Sequence, residues 1–351
     1  MQRDWVLIGN PQAGAGRALK AWSRLVRRFP EISSLSVQWT RAGGEAIDRA
    51  RTAAGKCEMV VAVGGDGTVN EVATGLLESG VGETALGILP LGTGNDAARA
   101  LGLTDPVEAW WALVRGQTRE MDVIEVKCGT GECATTRYSL VYAAAGIAVE
   151  ILDRTTPRVK WWVGRRGCYT VGFLRTLVRQ TSGSMSHSRA AGGPSYEAAE
   201  STFAKISGWR SPRMSVRCGG REYAGRFLLV SAGNAEWVGG GMMRLSPGAR
   251  LDDGLLNINL IPELNWLQAL RHFPRLYRGT HLAVAGVQYL VATEFELEAE
   301  PPTKLQVDGD VWGETPARFR VVQGALRVRS GCLNLGCAQI GGKFLAKIPH
   351  Q

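Results

Sequence analysis

Two rhythms of hydrophobic and polar positions divide this chain. Over the first hundred residues, short apolar runs alternate with segments of helical spacing. Trp5-Val6-Leu7-Ile8 reads as a strand, and Leu19, Trp22, Leu25, Val26 and Phe29 then recur as on one face of a helix, which Pro30 ends. Residues 35–40 alternate like a strand and 46–54 read as a second helix. The Val60-Val61-Ala62-Val63 run suits a strand buried on both faces, and Leu86-Gly87-Ile88-Leu89 is a fourth strand, with a helix over 97–101 behind it. Residues 106–116 form another helix, with Val107, Trp110, Trp111 and Val114 on one face, so the Trp pair is expected in the core. Such β-α alternation predicts a parallel sheet with right-handed crossovers, and in such sheets ligands sit beyond the C-terminal ends of the strands.

The rhythm then changes to period two. Residues 118–127, 138–145, 214–218, 227–232, 255–261, 295–300, 304–307, 318–322 and 326–328 read as strands joined by polar or glycine turns. Few helices accompany them, which predicts a β-rich sandwich or barrel. Helical insertions are expected over 159–179 and 264–277, and a flexible loop over 180–191, which holds four serines. The resulting division is an α/β domain over 1–120, a β-rich domain over 121–332, and a weakly patterned tail over 333–351.

Composition changes this picture in three ways. The 351 residues are 45% hydrophobic, enough to bury a real core, yet no apolar run approaches the ~20 residues a membrane-spanning helix needs. The stretch 279–293 lacks Lys, Arg, Asp and Glu but is broken by His281, Gly286 and Gln288, so a buried element is expected there. Seven scattered cysteines without a Cys-x-x-Cys pair, and a start without a secretory h-region, lead to the expectation of free thiols in the cytoplasm. Charge is the third. The net +9 is concentrated between residues 154 and 226, where fourteen Lys/Arg face three acids. With Trp161-Trp162 and Arg165-Arg166, this segment is read as a docking face for an anionic membrane, giving a peripherally associated protein. No base-reading signature accompanies the charge, so nucleic acid is not expected as a partner.

Candidate chemistry lies in the turns. Gly64-Gly65-Asp66-Gly67-Thr68 follows the third strand and suits close backbone approach to a phosphate; Thr68 is expected as helix N-cap, with Glu71 completing a capping box. Residues 10–16 and 92–96 are glycine turns on the same expected sheet edge. Asp66, Asp96 and Asp122 are the carboxylates placed to hold a hard cation such as Mg²⁺, although any one of them alone reads first as a helix cap or turn residue. Asp308-Gly309-Asp310 reads either as a hairpin turn or as a general base presented to a hydroxyl, and residues 251–255 as a similar turn or a small cation site.

Asn10-Pro11, Gly64 through Glu71 and Leu89-Pro90-Leu91-Gly92-Thr93-Gly94-Asn95-Asp96 together resemble the diacylglycerol kinase catalytic-domain family, whose soluble bacterial members are related to sphingosine and ceramide kinases. The resemblance implies an N-terminal domain like that of NAD kinases and phosphofructokinases and an ATP- and Mg²⁺-dependent lipid kinase. It implies ATP contacts from Asn10, Thr40, Gly64, Gly65, Asp66, Gly67, Thr68, Val69, Asn70, Glu71 and Thr93, and a Mg²⁺ network around Asp66, Asp96 and Asp122. It further implies a structural Mg²⁺ at Arg250, Asp253 and Leu255, the Arg and Leu through their backbone carbonyls, and catalysis by Asp310 assisted by Asp308. The family usually carries Glu where this chain has Asp310. A soluble-substrate kinase, such as one acting on NAD, and a nucleotide-binding membrane sensor are the competing readings, and a homodimer is left open.

Overall fold

The computed structural model describes residues 4–129, 131, 134–149 and 211–331, with the side chain of Trp266 left aside. The insertion expected over 159–179, the loop over 180–191, most of the basic segment 154–226 and the tail lie outside the described residues.

The first half is a parallel sheet in the order β2-β1-β3-β4, made of β1 (Trp5–Gly9), β2 (Val37–Trp39), β3 (Met59–Gly64) and β4 (Ala85–Pro90). All six residues of β3 and of β4 are buried, as continuous apolar runs covered on both faces require. Helices α1 (Ala18–Arg28), α2 (Glu45–Ala53), α3 (Asp66–Glu78), α4 (Asp96–Ala100) and α5 (Pro106–Arg115) connect the strands. Fully buried Trp110 on α5 packs edge-on against Trp5, 6.0 Å between ring centroids, and lies 6.0 Å from Phe29. Its neighbour Trp111 departs from expectation: it is 38% exposed, with Arg115 stacked 4.2 Å over its ring. Trp111 still packs edge-on against buried Phe29, 5.4 Å between ring centroids, so it lies at the margin of the apolar stripe rather than at its centre.

The second half is built from β5 (Gln117–Cys128), β6 (Thr135–Ser139), β7 (Tyr142–Gly146), β8 (Arg213–Cys218), β9 (Arg221–Gly233), the short β10 (Trp237–Val238) and β11 (Met243–Arg244), β12 (Leu256–Pro262), β13 (Gln288–Ala292), β14 (Glu294–Glu300), β15 (Lys304–Val307), β16 (Asp310–Glu314) and β17 (Ala317–Ser330), with helix α6 (Trp266–Leu276). One layer carries β8, β14, β17, β5 and β6; the other carries β16, β15, β7, β9, β12 and β13. Between them lies a core that includes Ile124, Val126, Val230, Ile258, Leu305 and the stacked pair Phe295–Phe319, 4.5 Å apart. In β14 the outward glutamates alternate with buried Phe295 and Leu297, the pattern of a strand wet on one face. Thus an α/β half with a parallel sheet adjoins a β-rich sandwich, as the two rhythms predict.

Two details differ from the periodicity. The tract 138–145 is not one strand: Leu140 and Val141 interrupt it, because their N–H groups turn to a carboxylate described below. The runs 318–322 and 326–328 are instead one strand, β17, continuous through a bulge, and β17 returns beside β4 in parallel, through Val328 and Leu86. The two halves therefore share a single hydrogen-bonded sheet. No helix among the described residues is long and apolar enough to cross a membrane.

Trp110→Ala is expected to cost about 3–5 kcal/mol, as emptied aromatic core sites do, and Trp111→Ala about 1 kcal/mol or less, read from denaturant midpoints. Buried His281, with Nε2 3.3 Å from Asn259 Oδ1, is pushed down to about 4 by burial. Because the unfolded chain then takes up a proton that the folded chain refuses, His281 lowers stability as pH falls from about 6.5 through 4. A His281→Gln chain is expected to lose that part of the slope in melting temperature against pH.

Candidate active site

Three glycine turns meet at the ends of β1, β3 and β4. The Asn10 N–H donates to Val63 O and its Oδ1 accepts from Gln12 N–H, which holds the first turn against β3. Thr40 gives both its N–H and its hydroxyl to Gly9 O. Gly65 and Gly92 lie so close that a Cβ on Gly92 would stand 2.3 Å from Gly65 Cα; no larger residue fits there. A Cβ on Gly94 would meet Asp66 Oδ2 at 2.6 Å. Thr93 sits in the turn between Gly92 and Gly94.

Helix α3 starts earlier than expected. Gly65 is its N-cap, with no side-chain cap bond, and Asp66 opens its first turn. Thr68 is therefore inside the helix rather than its cap, packed beneath Gly64, and Glu71 accepts the N–H of Gly44 at 3.1 Å instead of closing a capping box. The glycine pair permits this, since an extended Gly65 lets the chain enter the helix directly. Val69 is in the core and Thr68 and Asn70 are buried, while Gly67 is exposed at the head of the helix.

Asp66 itself caps a second helix. Its Oδ2 accepts from Asn95 N–H at 2.7 Å and its Oδ1 from Asp96 N–H at 2.6 Å, where α4 begins. Asp96 repeats the device on the other half of the molecule: Oδ2 accepts from Gly239 N–H (2.9 Å), and Oδ1 from Gly240 (2.6 Å) and Gly241 (3.0 Å). All three glycines have positive φ, which turns successive N–H groups inward as an anion-binding nest. Burial raises the Asp66 carboxyl, with the Asp308 charge adding, and burial followed by the Asp66 charge lifts Asp96 to about 7. The sequence reading passed over Gly239-Gly240-Gly241, although the run itself is the signal that would have found it.

Asn70 links this edge to the β15–β16 turn. Its Nδ2 donates to Tyr138 O at 2.8 Å and to Asp308 Oδ2 at 2.9 Å. Asp308, at φ 46°, also accepts from the Ser139 hydroxyl (2.7 Å) and from the N–H groups of Leu140 (2.7 Å), Val141 (3.0 Å) and Tyr142 (3.2 Å). Both oxygens are taken up by these donors, so the geometry gives Asp308 a positioning part rather than that of an assisting base. Asp310 differs. It is 56% exposed, with Oδ2 2.7 Å from Arg137 Nη2.

The expected metal residues do not assemble into one cluster. Asp122 is buried on β5, accepts from Gly254 N–H (2.6 Å) and Gly324 N–H (2.8 Å), and its own N–H donates to Leu251 O. It therefore joins the 250–255 turn and not Asp66 and Asp96. In that turn Asp253 accepts from Leu255 N–H and is raised by burial, with Asp122 nearby, while Arg250 pairs with Asp252. Among the described residues no three His, Cys, Asp or Glu stand close enough to hold a metal ion. Since backbone N–H groups occupy the oxygens of Asp66 and Asp96, these residues do not fit a preformed carboxylate cage.

Residues 4–126 match the profile of the diacylglycerol kinase catalytic domain, and residues 180–330 that of the YegS C-terminal NAD kinase beta sandwich-like domain. Over these residues the chain carries a diacylglycerol kinase catalytic domain followed by a YegS-type C-terminal sandwich-like domain. Among curated proteins it is 28% identical over 291 residues to the diacylglycerol kinase of Staphylococcus carnosus, covering 82% of this chain and 81% of that one. To the diacylglycerol kinase of Mycobacterium tuberculosis it is 28% identical over 336 residues, covering 92% and 93%. A crystal structure of a diacylglycerol kinase from Bacillus anthracis shares the fold, with a TM-score of 0.66 at 22% identity over 94% of this chain and 97% of that one. In terms of this family, the glycine edge belongs to the catalytic-domain match and the Asp308–Asp310 turn to the sandwich-like match.

An Asp308→Asn chain keeps the size but sets an NH₂ against donors, so it is expected to lose about 1–3 kcal/mol per orphaned buried N–H, measured as a lowered urea midpoint.

Proposed function

We propose that the chain transfers the γ-phosphate of ATP to the hydroxyl of a membrane lipid of the diacylglycerol or sphingoid type. One observation carries this reading. The Asn70–Asp308 hydrogen bond holds the Asp308–Asp310 turn against the first turns of α3, beside the nested glycine loops. A phosphate cradle and a solvent-facing carboxylate thus share one edge, and the lipid comes from the names carried by the family's relatives.

Asp310 accepts the proton of the lipid hydroxyl as its oxygen attacks the γ-phosphorus; the bond to the β-phosphate oxygen breaks and ADP leaves. Arg137 holds one Asp310 oxygen and so aims the other. The open, exposed backbone at Gly67 admits the phosphates closely, and the positive end of the 13-residue α3 favours them. Thr93 lines the same turn, and Asn10, Thr40 and Glu71 fix the loops around it. Any Mg²⁺ would arrive on the nucleotide's own phosphates, where it would supply charge compensation without a preformed protein cage. Positioning and electrostatics of this kind carry most of phosphoryl transfer.

The test is transfer of label from ATP, with Mg²⁺, to diacylglycerol and to sphingoid bases in mixed micelles. Lipid product is expected, falling about 10²–10⁴-fold with Asp310→Asn, the range for loss of a general base. No lipid product from the natural chain, undiminished product from the variant, or turnover of a soluble acceptor alone overturns the proposal.

A further inference from the structure

Helix α6 presents two faces of opposite character. Its start is fixed by a capping box in which Asn265 accepts from Gln268 N–H (2.9 Å) and Gln268 Oε1 accepts from Asn265 N–H (3.0 Å). Ala269 is buried, and Phe273 and Leu276 pack on the core, so one face is anchored. The opposite face carries Leu267, Leu270, Arg271, Pro274 and, just past the helix, Arg278, all exposed and at the three- and four-residue spacing of a single stripe. Leu267 is 57% and Leu270 43% exposed. Single exposed leucines are ordinary, but two on adjacent turns, continued by a proline ring, form an ordered patch.

The charge around the patch selects its partner. No Asp or Glu occurs between Glu263 and Glu294, whereas Arg271, Arg275 and Arg278 all fall on or just after α6. None of the three has a carboxylate partner among the described residues. A protein partner would have to bring both an acidic rim and an apolar groove. An anionic bilayer surface offers both over any area, taking leucines at the acyl boundary and arginines among the headgroups. We infer that α6 is a membrane-docking helix, which lies flat on an anionic leaflet with Leu267 and Leu270 inserted. The inference rests on the lipid-kinase reading, since an enzyme acting on membrane lipid must reach the leaflet, and it assigns docking to an element other than the 154–226 segment.

Co-sedimentation of the full chain with phosphatidylcholine vesicles, with and without phosphatidylglycerol, tests it. The natural chain is expected to partition onto the anionic vesicles, and less so at high salt. Leu267→Asp/Leu270→Asp is expected to weaken partitioning at least tenfold. Arg271→Glu/Arg278→Glu is expected to do so on anionic vesicles only. All four positions are solvent-facing, so thermal midpoints should match the natural chain. Variants that partition like the natural chain, equal partitioning onto neutral vesicles, or no partitioning at all overturn the inference. So do variants that change the mass at sedimentation equilibrium while vesicle binding is unaltered, for the patch would then face a second copy. Transfer to diacylglycerol in detergent micelles separates the two ideas: its absence sinks the kinase reading, whereas its presence with unaltered vesicle binding sinks only the docking helix.

Discussion

The Asp308 carboxylate holds the architecture of the site together. Five donors from two distant pieces of chain, Asn70 on α3 and residues 139–142 between β6 and β7, converge on its two oxygens. A carboxylate withdrawn from water is tolerable only where donors replace the lost solvation, and backbone N–H groups do so here. The left-handed backbone at Asp308 is held by the same bonds. Because Asp310 is two residues further along the turn, the position of the proposed base follows from this cluster, and so does the break between β6 and β7.

The same device recurs at Asp66, Asp96 and Asp122, each accepting N–H groups from a segment distant in sequence. Asp66 joins α3 to α4, Asp96 joins α4 to the Gly239–Gly241 nest, and Asp122 joins β5 to the 250–255 turn and to the bulge of β17. The aspartates therefore act as fasteners between glycine-bearing loops, their charge opposed by peptide dipoles. Burial lifts both Asp66 and Asp96, with the Asp308 charge adding to the first and the Asp66 charge to the second. Their proximity is a consequence of the close Gly65–Gly92 contact, which a side chain on Gly92 would prevent.

Much of this organisation was legible in the sequence. The Val-rich β3, the alternating β14 and the glycine turns after β1, β3 and β4 are local patterns, and the structure places all three turns on one sheet edge. Where local reading failed, a contact from elsewhere overrode it. Thr68 has the composition of a cap, yet the extended Gly65 starts the helix before it. Trp111 shares the apolar stripe with Trp110 and touches Phe29, but it lies at the stripe's edge and stays partly open to solvent. The acids at 66, 96 and 122 look alike in sequence and end in two different neighbourhoods.

By itself the sequence determined the two-part organisation, the strand and helix periods and the glycine positions that let backbone approach backbone, because each follows from residues within a few positions of one another. Only the tertiary structure decided which donors each carboxylate captures. The Asn70–Asp308 bond spans 238 residues, and a hydrogen bond of that range exists only after the topology has brought its ends together. The division of labour between Asp308, enclosed by donors, and Asp310, open to solvent, belongs to that second category.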